Sequence, residues 1–245
     1  MGAPRTAAAL VIGNELLSGK VQDANVIALA LMLRRLGISL RRVVIVEDVV
    51  SVIASEVESL AAVHDVVFTS GGVGPTHDDV TMDAVAEAFG VPCVVDEGME
   101  RMLRAHYGDR VNDGHLRMAR VPSGASQHSS KEVRWPVTLM RNVWVLPGIP
   151  EIFRLKLPII EAALGVDVPY VSRAVYTNMD EGTLKPLLDH VVTSHPLVDV
   201  GSYPTWSDPS YRTKLTFDGR DRGAIDAAVA MFVASLPVGE PQRVE

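Results

Sequence analysis

Short runs of β-branched and aliphatic residues alternate with helical patterns along the first two-thirds of the chain. The apolar runs predict strands at residues Thr6–Ile12, 40–46, 65–70, 91–95 and 142–146. Apolar positions at helical spacing predict helices at residues 23–36, 49–63, 79–89, 96–107 and about 150–164. Such alternation is typical of a doubly wound, mostly parallel sheet with helices on both faces. We therefore expect an α/β fold.

The order of elements changes in the last third of the chain. Residues 108–141 show a weak pattern rich in Pro, Gly and Ser, which predicts an irregular excursion beside a site. From residue 168 the pattern predicts strand 170–177, helix 181–192, strands 198–203 and 212–217, and helix 224–236. This β-α-β-β-α order predicts a separate, smaller α+β domain. The expected domains are residues 1–167 and residues 168–245, the second ending in a polar tail.

Composition narrows the functions that this chain can serve. The formal net charge of −7 provides no global positive field to attract nucleic acid or an anionic membrane. One cysteine, Cys93, excludes an internal disulfide and a cysteine metal cluster. We find neither an export signal nor an apolar stretch of about 20 residues, the length that a membrane helix requires. We expect a cytoplasmic protein that binds an anionic ligand through groups at the site itself, not through an overall positive charge.

Polar residues directly follow four of the predicted strands. They form the segments 13–15, 47–48, 71–79 and 147–151. In an open parallel sheet, the segments that follow the strands meet at one edge, where ligands of such folds bind. The simplest interpretation is one shared site.

The segment Gly71–Asp79 has the chemistry that a phosphate requires. Glycines without Cβ let backbone N–H groups approach an oxyanion, and the helix that follows contributes its positive end. Thr76 adds a hydroxyl donor. The loop matches neither the dinucleotide-binding glycine fingerprint nor a Walker loop. From glycine content alone, a plain strand-to-helix turn is an equal alternative.

The neighbouring aspartates have two interpretations. Asp78 and Asp79 would repel a phosphate unless a divalent cation stood between them, which suggests a metal site. Asp is also a favoured helix N-cap, and capping is the expected role for whichever of the two precedes the first turn. On local grounds the same preference for capping applies to Asp48. It reverses only if the ligand is a phosphate–metal complex.

At these residues the chain resembles the molybdopterin-binding (MoaB/Mog) superfamily. It is most similar to the CinA-type branch and to the molybdopterin-binding-like domain of eukaryotic FAD synthase. The segments that carry the resemblance are Gly13–Gly19 with Gln22–Asn25, Gly71–Thr81, Leu146–Glu151 and Gly201–Pro204. The resemblance implies a MogA-like α/β domain whose glycine loop binds a pterin phosphate or a dinucleotide. In the CinA-type branch, the implied activity is metal-dependent hydrolysis of a pyrophosphate such as FAD or ADP-ribose.

The resemblance also assigns candidate residues. Asp48 and Asp79 match the two aspartates around ligand and metal, and Asp78 matches an extra acidic residue of the CinA-type branch. These three are the expected catalytic and metal-binding residues, for Mg²⁺, Mn²⁺ or Co²⁺. The expected ligand contacts are Asn14, Glu15, Asn25, Gly71, Gly72, Gly74, Thr76, Thr81, Gly148 and Glu151. Val73 replaces the Thr of the loop in cofactor-synthesis members, which makes molybdopterin the less favoured ligand.

The leading hypothesis is thus a metal-dependent hydrolase of a nucleotide pyrophosphate bond. The alternative is a non-catalytic protein that binds molybdopterin or a nucleotide, in which the carboxylates act as caps and specificity contacts. The expected partner is a small nucleotide or pterin-phosphate ligand, with neither nucleic acid nor membrane. Family habit and an apolar sheet edge in the small domain favour a homo-oligomer.

Overall fold

The computed structural model of the protein describes residues 5–245. The chain divides into two compact units, Met1–Asp167 and Val168–Glu245. Each unit has its own hydrophobic core. None of the helices in the described part combines the length and apolar character that crossing a membrane requires.

The first unit contains eight strands within its described residues. They are β1 (Thr6–Ile12), β2 (Ser39–Val46), β3 (Val66–Ser70), β4 (Cys93–Val95), β5 (Arg120–Pro122), β6 (Ser126–His128), β7 (Val137–Met140) and β8 (Val143–Leu146). Six of them form the central sheet in the order β2-β1-β3-β8-β7-β6. Pairing is parallel from β2 through β8 and antiparallel from β8 to β6. The mostly parallel α/β sheet predicted from the sequence is confirmed.

Helices cover both faces of this sheet. They are α1 (Asn14–Leu17), α2 (Asn25–Arg35), α3 (Val50–Val63), α4 (Thr81–Ala88), α5 (Glu97–Tyr107), α6 (Asp113–Arg117) and α7 (Pro150–Leu164). Because successive strand residues point to opposite faces, Ala7 and Ala9 of β1 belong to one core cluster and Ala8, Leu10 and Ile12 to another. The first cluster includes residues of α2 and α7, and the second includes residues of α3 and α4.

Several sequence predictions for this unit need correction. Residues 108–141 are not an irregular excursion, since they contain α6, β5, β6 and β7. The strand predicted at residues 91–95 is limited to Cys93–Val95, which pairs antiparallel with β5 in a sheet of two strands. The helix predicted to start at Asp79 begins at Thr81, and the one predicted from Val49 begins at Val50. Asn14–Leu17, predicted as loop, forms one helical turn.

The second unit contains β9 (Val171–Thr177), α8 (Glu181–Ser194), β10 (Asp199–Pro204), β11 (Thr213–Gly219), α9 (Arg222–Ala234) and β12 (Arg243–Val244). Its antiparallel sheet has the order β10-β11-β9-β12. Asp180 and Asp221 cap α8 and α9 by accepting the backbone N–H three residues ahead. The β-α-β-β-α order predicted for a smaller α+β domain is confirmed. Within the predicted polar tail, residues 243–244 form the fourth strand of this sheet.

Candidate functional site

A cavity of about 590 Å³ lies at the carboxyl edge of the parallel strands. Eight of the predicted site residues line it. Four are acidic, namely Glu15, Asp48, Asp78 and Asp79, and four are glycines, namely Gly71, Gly72, Gly74 and Gly148. They come from the segments that follow β1, β2, β3 and β8. The convergence expected from parallel strand order therefore occurs.

The backbone of the glycine loop folds back tightly on the sheet. Gly71 and Gly72 have φ values of 111° and 66°, which L side chains rarely adopt. A Cβ on Gly71 would also lie 2.2 Å from the carbonyl oxygen of Ile12. The Gly71 N–H donates to Leu146 O at 3.1 Å, and the buried Thr81 hydroxyl donates to Gly71 O at 2.8 Å. These constraints fix the start of the loop against β8 and α4.

Three successive amides of this loop have no hydrogen-bond acceptor within the described part of the chain. They belong to Gly72, Val73 and Gly74, which all line the cavity. Backbone N–H groups seldom remain unpaired away from water, so these amides call for solvent or ligand acceptors. A run of free amides in a turn after a strand is an anion-binding geometry. These donors favour the anion-binding interpretation of the loop over a plain turn.

Asp78 and Asp79 lie at the end of the loop and are held by Thr76. The Thr76 hydroxyl lies within hydrogen-bond distance of Asp78 Oδ1 and of Asp79 Oδ2, and the Thr76 N–H donates to Asp79 Oδ2 at 2.8 Å. The hydrogen bond from the Thr76 hydroxyl is the main cause that lowers the pKa of Asp78. Capping is wrong for this pair, because the N-cap of α4 is Val80 and no side chain caps that helix.

Asp48 does not cap α3, the helix that follows it. The N-cap of α3 is Val49, without a side-chain hydrogen bond, and the preference for capping at Asp48 is therefore wrong. Instead, Asp48 Oδ2 accepts the Asn14 N–H at 2.8 Å, which ties the end of β2 to the start of α1. The other carboxylate oxygen takes no hydrogen bond from the described residues. Asp48 thus keeps one free oxygen at the cavity wall.

Five predicted ligand contacts do not line the cavity. They are Asn14, Asn25, Thr76, Thr81 and Glu151. Thr81 is buried behind Gly71, and Thr76 holds the aspartate pair. Asn25 is also buried, and its Nδ2 donates to Ser70 Oγ at 2.9 Å and to Gly148 O at 2.8 Å. These three side chains position the loops around the cavity.

Arg117 holds the glycine loop in place, and it belongs to residues 108–141, which the sequence predicted to be irregular. Arg117, at the end of α6, donates from Nη1 to Thr76 O at 3.2 Å and from Nη2 to Asp79 O at 3.0 Å. Its Nη2 lies 3.7 Å from Asp83 Oδ2 on α4. The carbonyls of the aspartate-bearing turn are therefore clamped by a cation. Sequence reasoning missed Arg117 because it lies 38 residues from Asp79 along the chain.

The apolar wall of the cavity also escaped prediction. It includes Met82, Met99, Met118, Trp135, Pro136 and Ile152. Because β7 runs antiparallel to β8, with Thr138 opposite Val145, its beginning lies at the same edge as the end of β8. Residues 135–136 therefore join the site from the side of the sheet away from β2. In the strand order, residues 135–136 before β7 and the acidic residues after β1 and β2 therefore lie on opposite sides of β3.

Lys156 on α7 is the one basic residue that lines this cavity in the described part of the chain. It is 3% exposed, and its Nζ donates to Trp135 O at 2.7 Å and to Pro136 O at 2.9 Å. No carboxylate of the described residues pairs with it. Burial lowers the pKa of Lys156 to about 8. The ammonium group has three N–H donors, and the two carbonyls use two of them.

The acidic side chains at this cavity provide few possible metal ligands close to one another. Among residues 5–245, no group of three His, Cys, Asp or Glu side chains lies close enough to hold an ion. Asp48, Asp78 and Asp79 are thus not brought together as one ligand set. The pair Asp78–Asp79 does converge on a single hydroxyl. Two carboxylates suit Mg²⁺ when substrate phosphates and waters supply the remaining oxygens.

Comparison with known proteins gives matches to both units. A family model described as "Probable molybdopterin binding domain" matches residues 8–161, and one described as "FAD synthase, middle domain" matches residues 169–245. A "Probable FAD synthase" of Caenorhabditis briggsae is 29% identical over 270 residues, covering 97% of this chain and 50% of that protein. A "CinA-like protein" of Myxococcus xanthus is 34% identical over 237 residues, covering 90% and 56%. The chain spans about half the length of these two relatives.

A solved structure matches as well. The protein CinA from Thermoplasma acidophilum aligns with a TM-score of 0.61 and 27% identity, and the match covers 66% of this chain and 99% of that one. It supports the α/β architecture described above.

Proposed function

Because the chain belongs to the molybdopterin-binding (MoaB/Mog) family, CinA-type branch, we propose that it hydrolyses the pyrophosphate bond of a dinucleotide such as FAD or ADP-ribose. The observation that carries this proposal is the set of three free amides, Gly72 to Gly74, beside the Asp78–Asp79 pair in one cavity. Amides alone would bind any anion. Amides next to two carboxylates favour an anion that arrives with a divalent cation. The relatives named FAD synthase support a nucleotide-related role.

The chain's own groups divide the work of the reaction. The loop amides hold non-bridging phosphate oxygens, and they stabilise the charge that develops there in the transition state. Thr76 and Arg117 hold the aspartate-bearing turn in place. Glu15 and the free oxygen of Asp48 orient ligand hydroxyls and water from the opposite loops. A divalent ion held by Asp78 and Asp79 would supply neutralisation of phosphate charge and a lower pKa for bound water.

The net reaction is simple hydrolysis. Water oxygen forms a bond to one phosphorus, the bond from that phosphorus to the bridging oxygen breaks, and the bridging oxygen leaves with the other phosphate. Above about pH 7 both water protons are released to solvent, because each product then carries a phosphate dianion. FAD would give FMN and AMP, and ADP-ribose would give AMP and ribose 5-phosphate. The reaction needs no oxidant or second substrate.

The test is chromatographic detection of these products with FAD or ADP-ribose and Mg²⁺, Mn²⁺ or Co²⁺. Asp79→Asn keeps an oxygen to accept the Thr76 N–H but removes the charge, and we expect turnover to fall about a hundredfold. Asp199→Asn, an exposed change in the second unit, should leave turnover unchanged. Absence of turnover with every metal, or full turnover in Asp79→Asn, would refute the proposal. Nucleotide binding without turnover would instead support the non-catalytic alternative.

A further inference from the structure

Lys156 has no evident structural need for its charge. The side chain is almost fully buried, and its ammonium group meets only the carbonyls of Trp135 and Pro136. Burying an ammonium group is costly unless it is paired, and carbonyl dipoles compensate it only in part. A charged group kept in a cavity at such a cost indicates a ligand-binding role.

The surroundings of Lys156 indicate which part of a ligand it meets. Trp135, Met99 and Met118 lie on the same wall of the cavity, and Trp135 and Met118 pack against the cluster that contains Met99. Methionine sulfur and aromatic side chains favour contact with a planar aromatic ring. Met118 also borders the loop residues Gly72–Gly74 in a smaller neighbouring pocket, whereas Lys156 and Trp135 do not line that pocket. Lys156 is therefore placed to meet a ring.

We propose that Lys156 donates its remaining N–H to a carbonyl oxygen of a flavin ring, so that the apolar wall takes the flavin end of the dinucleotide. This inference rests on the proposed function and narrows its substrate to FAD. A flavin carries two carbonyl oxygens on its pyrimidine edge. Adenine carries no carbonyl oxygen and can accept from the ammonium group only at its ring nitrogens. The choice of the flavin end rests on its carbonyl acceptors.

The test compares ligands that contain no pyrophosphate bond, so that its outcome is independent of hydrolysis. FMN and AMP each carry one phosphate for the glycine loop, and calorimetric titration with both in the presence of Mg²⁺ isolates the contribution of the ring. We expect the protein to bind FMN at least about tenfold more tightly than AMP, as one hydrogen bond to a charged group would give. Equal affinities, or tighter binding of AMP, would overturn the proposal. This comparison needs only the natural sequence.

Lys156→Met then assigns the preference to the ammonium group. FMN affinity should fall about ten- to a hundredfold, while AMP affinity should change less than about twofold. If Lys156 had a purely structural role, Lys156→Met would lower the affinities for FMN and AMP alike. That result would overturn the assignment. Lys131→Met, an exposed lysine on the segment before Trp135, should leave both affinities unchanged. A pterin offers the same kind of ring carbonyl, so tighter binding of pterin than of riboflavin would overturn the choice of flavin.

Discussion

Replacing Lys156 with methionine should change how the stability of the first unit depends on pH. The folded pKa of Lys156 is about 8, whereas its usual value is 10.5. Between these two pH values the unfolded chain binds a proton that the folded chain has released. The free energy of unfolding of the natural protein therefore rises with pH across this interval, as the penalty for burying the charge disappears.

The size of the effect follows from the interval between the two pKa values. Each pKa unit corresponds to about 1.4 kcal/mol, so the burial penalty amounts to about 3 kcal/mol at most. It is present in full below pH 8 and is lost by about pH 10.5. Lys156→Met has no titrating group at this position. The stability of the natural protein relative to Lys156→Met should therefore increase by up to about 3 kcal/mol between pH 7 and pH 11.

The assay is urea unfolding at several pH values, followed by tryptophan fluorescence. Trp135 and Trp144 are in the first unit and at least partly buried, whereas Trp206 is 92% exposed, so the signal reports mainly on the first unit. Loss of the hydrogen bonds to Trp135 O and Pro136 O lowers the stability of the variant by an amount that does not depend on pH. The test therefore uses only the change with pH in the stability difference between the two proteins. Lys131→Met retains Lys156, so its difference in stability from the natural protein should not change with pH. A constant difference between the natural protein and Lys156→Met from pH 7 to 11 would refute the reasoning.

Three further substitutions test the architecture of the glycine loop. Gly71→Ala should lower the free energy of unfolding by more than about 2 kcal/mol in urea titrations, because φ is 111° and the new methyl would meet Ile12 O. The control Gly90→Ala has φ 66° and open space around the new methyl, and should cost about 1 kcal/mol. Equal losses in the two variants would contradict this reasoning. Thr81→Val should cost about 1–3 kcal/mol, since it leaves the buried Gly71 carbonyl without its donor, and a neutral result would mean that water replaces the hydroxyl. Arg117→Met should speed hydrogen exchange and proteolysis of residues 71–79 while leaving the second unit unchanged; unchanged exchange in the loop would show that Arg117 does not hold it.

The sequence predicts the parts of this protein that depend on local pattern and strand order. The alternation of apolar runs and helical patterns predicts the parallel sheet, and parallel order predicts that the loops after β1, β2, β3 and β8 converge. Asp23, the first residue of the helix predicted at 23–36, accepts the N–H of Val26 in the first turn of α2 through its Oδ1. Features that depend only on neighbours a few residues apart can thus be predicted from the sequence.

Other features depend on contacts that a single sequence does not display. Asp48 has a favourable residue type for an N-cap, yet a donor 34 residues away, the Asn14 N–H, competes for its carboxylate. The short strand β7 gives no clear periodic signal, and its antiparallel direction is what brings Trp135 to the site. Lys156 is of a residue type that is almost never fully buried, so its residue type gives no sign that it lines the site. Only the packing of α7 over residues 135–136 buries it.

The contacts that shape the glycine loop also set the time at which it forms. Its first amide is anchored by Leu146 O, and the carbonyl of Gly148 is held by Asn25, 123 residues earlier in the chain. Contacts across such sequence separations form slowly and late, because long loops must close first. During synthesis, β1 to β3 can emerge and pair before residue 148 exists, but the amides cannot yet be fixed in place. Nascent chains should therefore be unable to capture nucleotide, and binding would begin only when β8 completes the sheet.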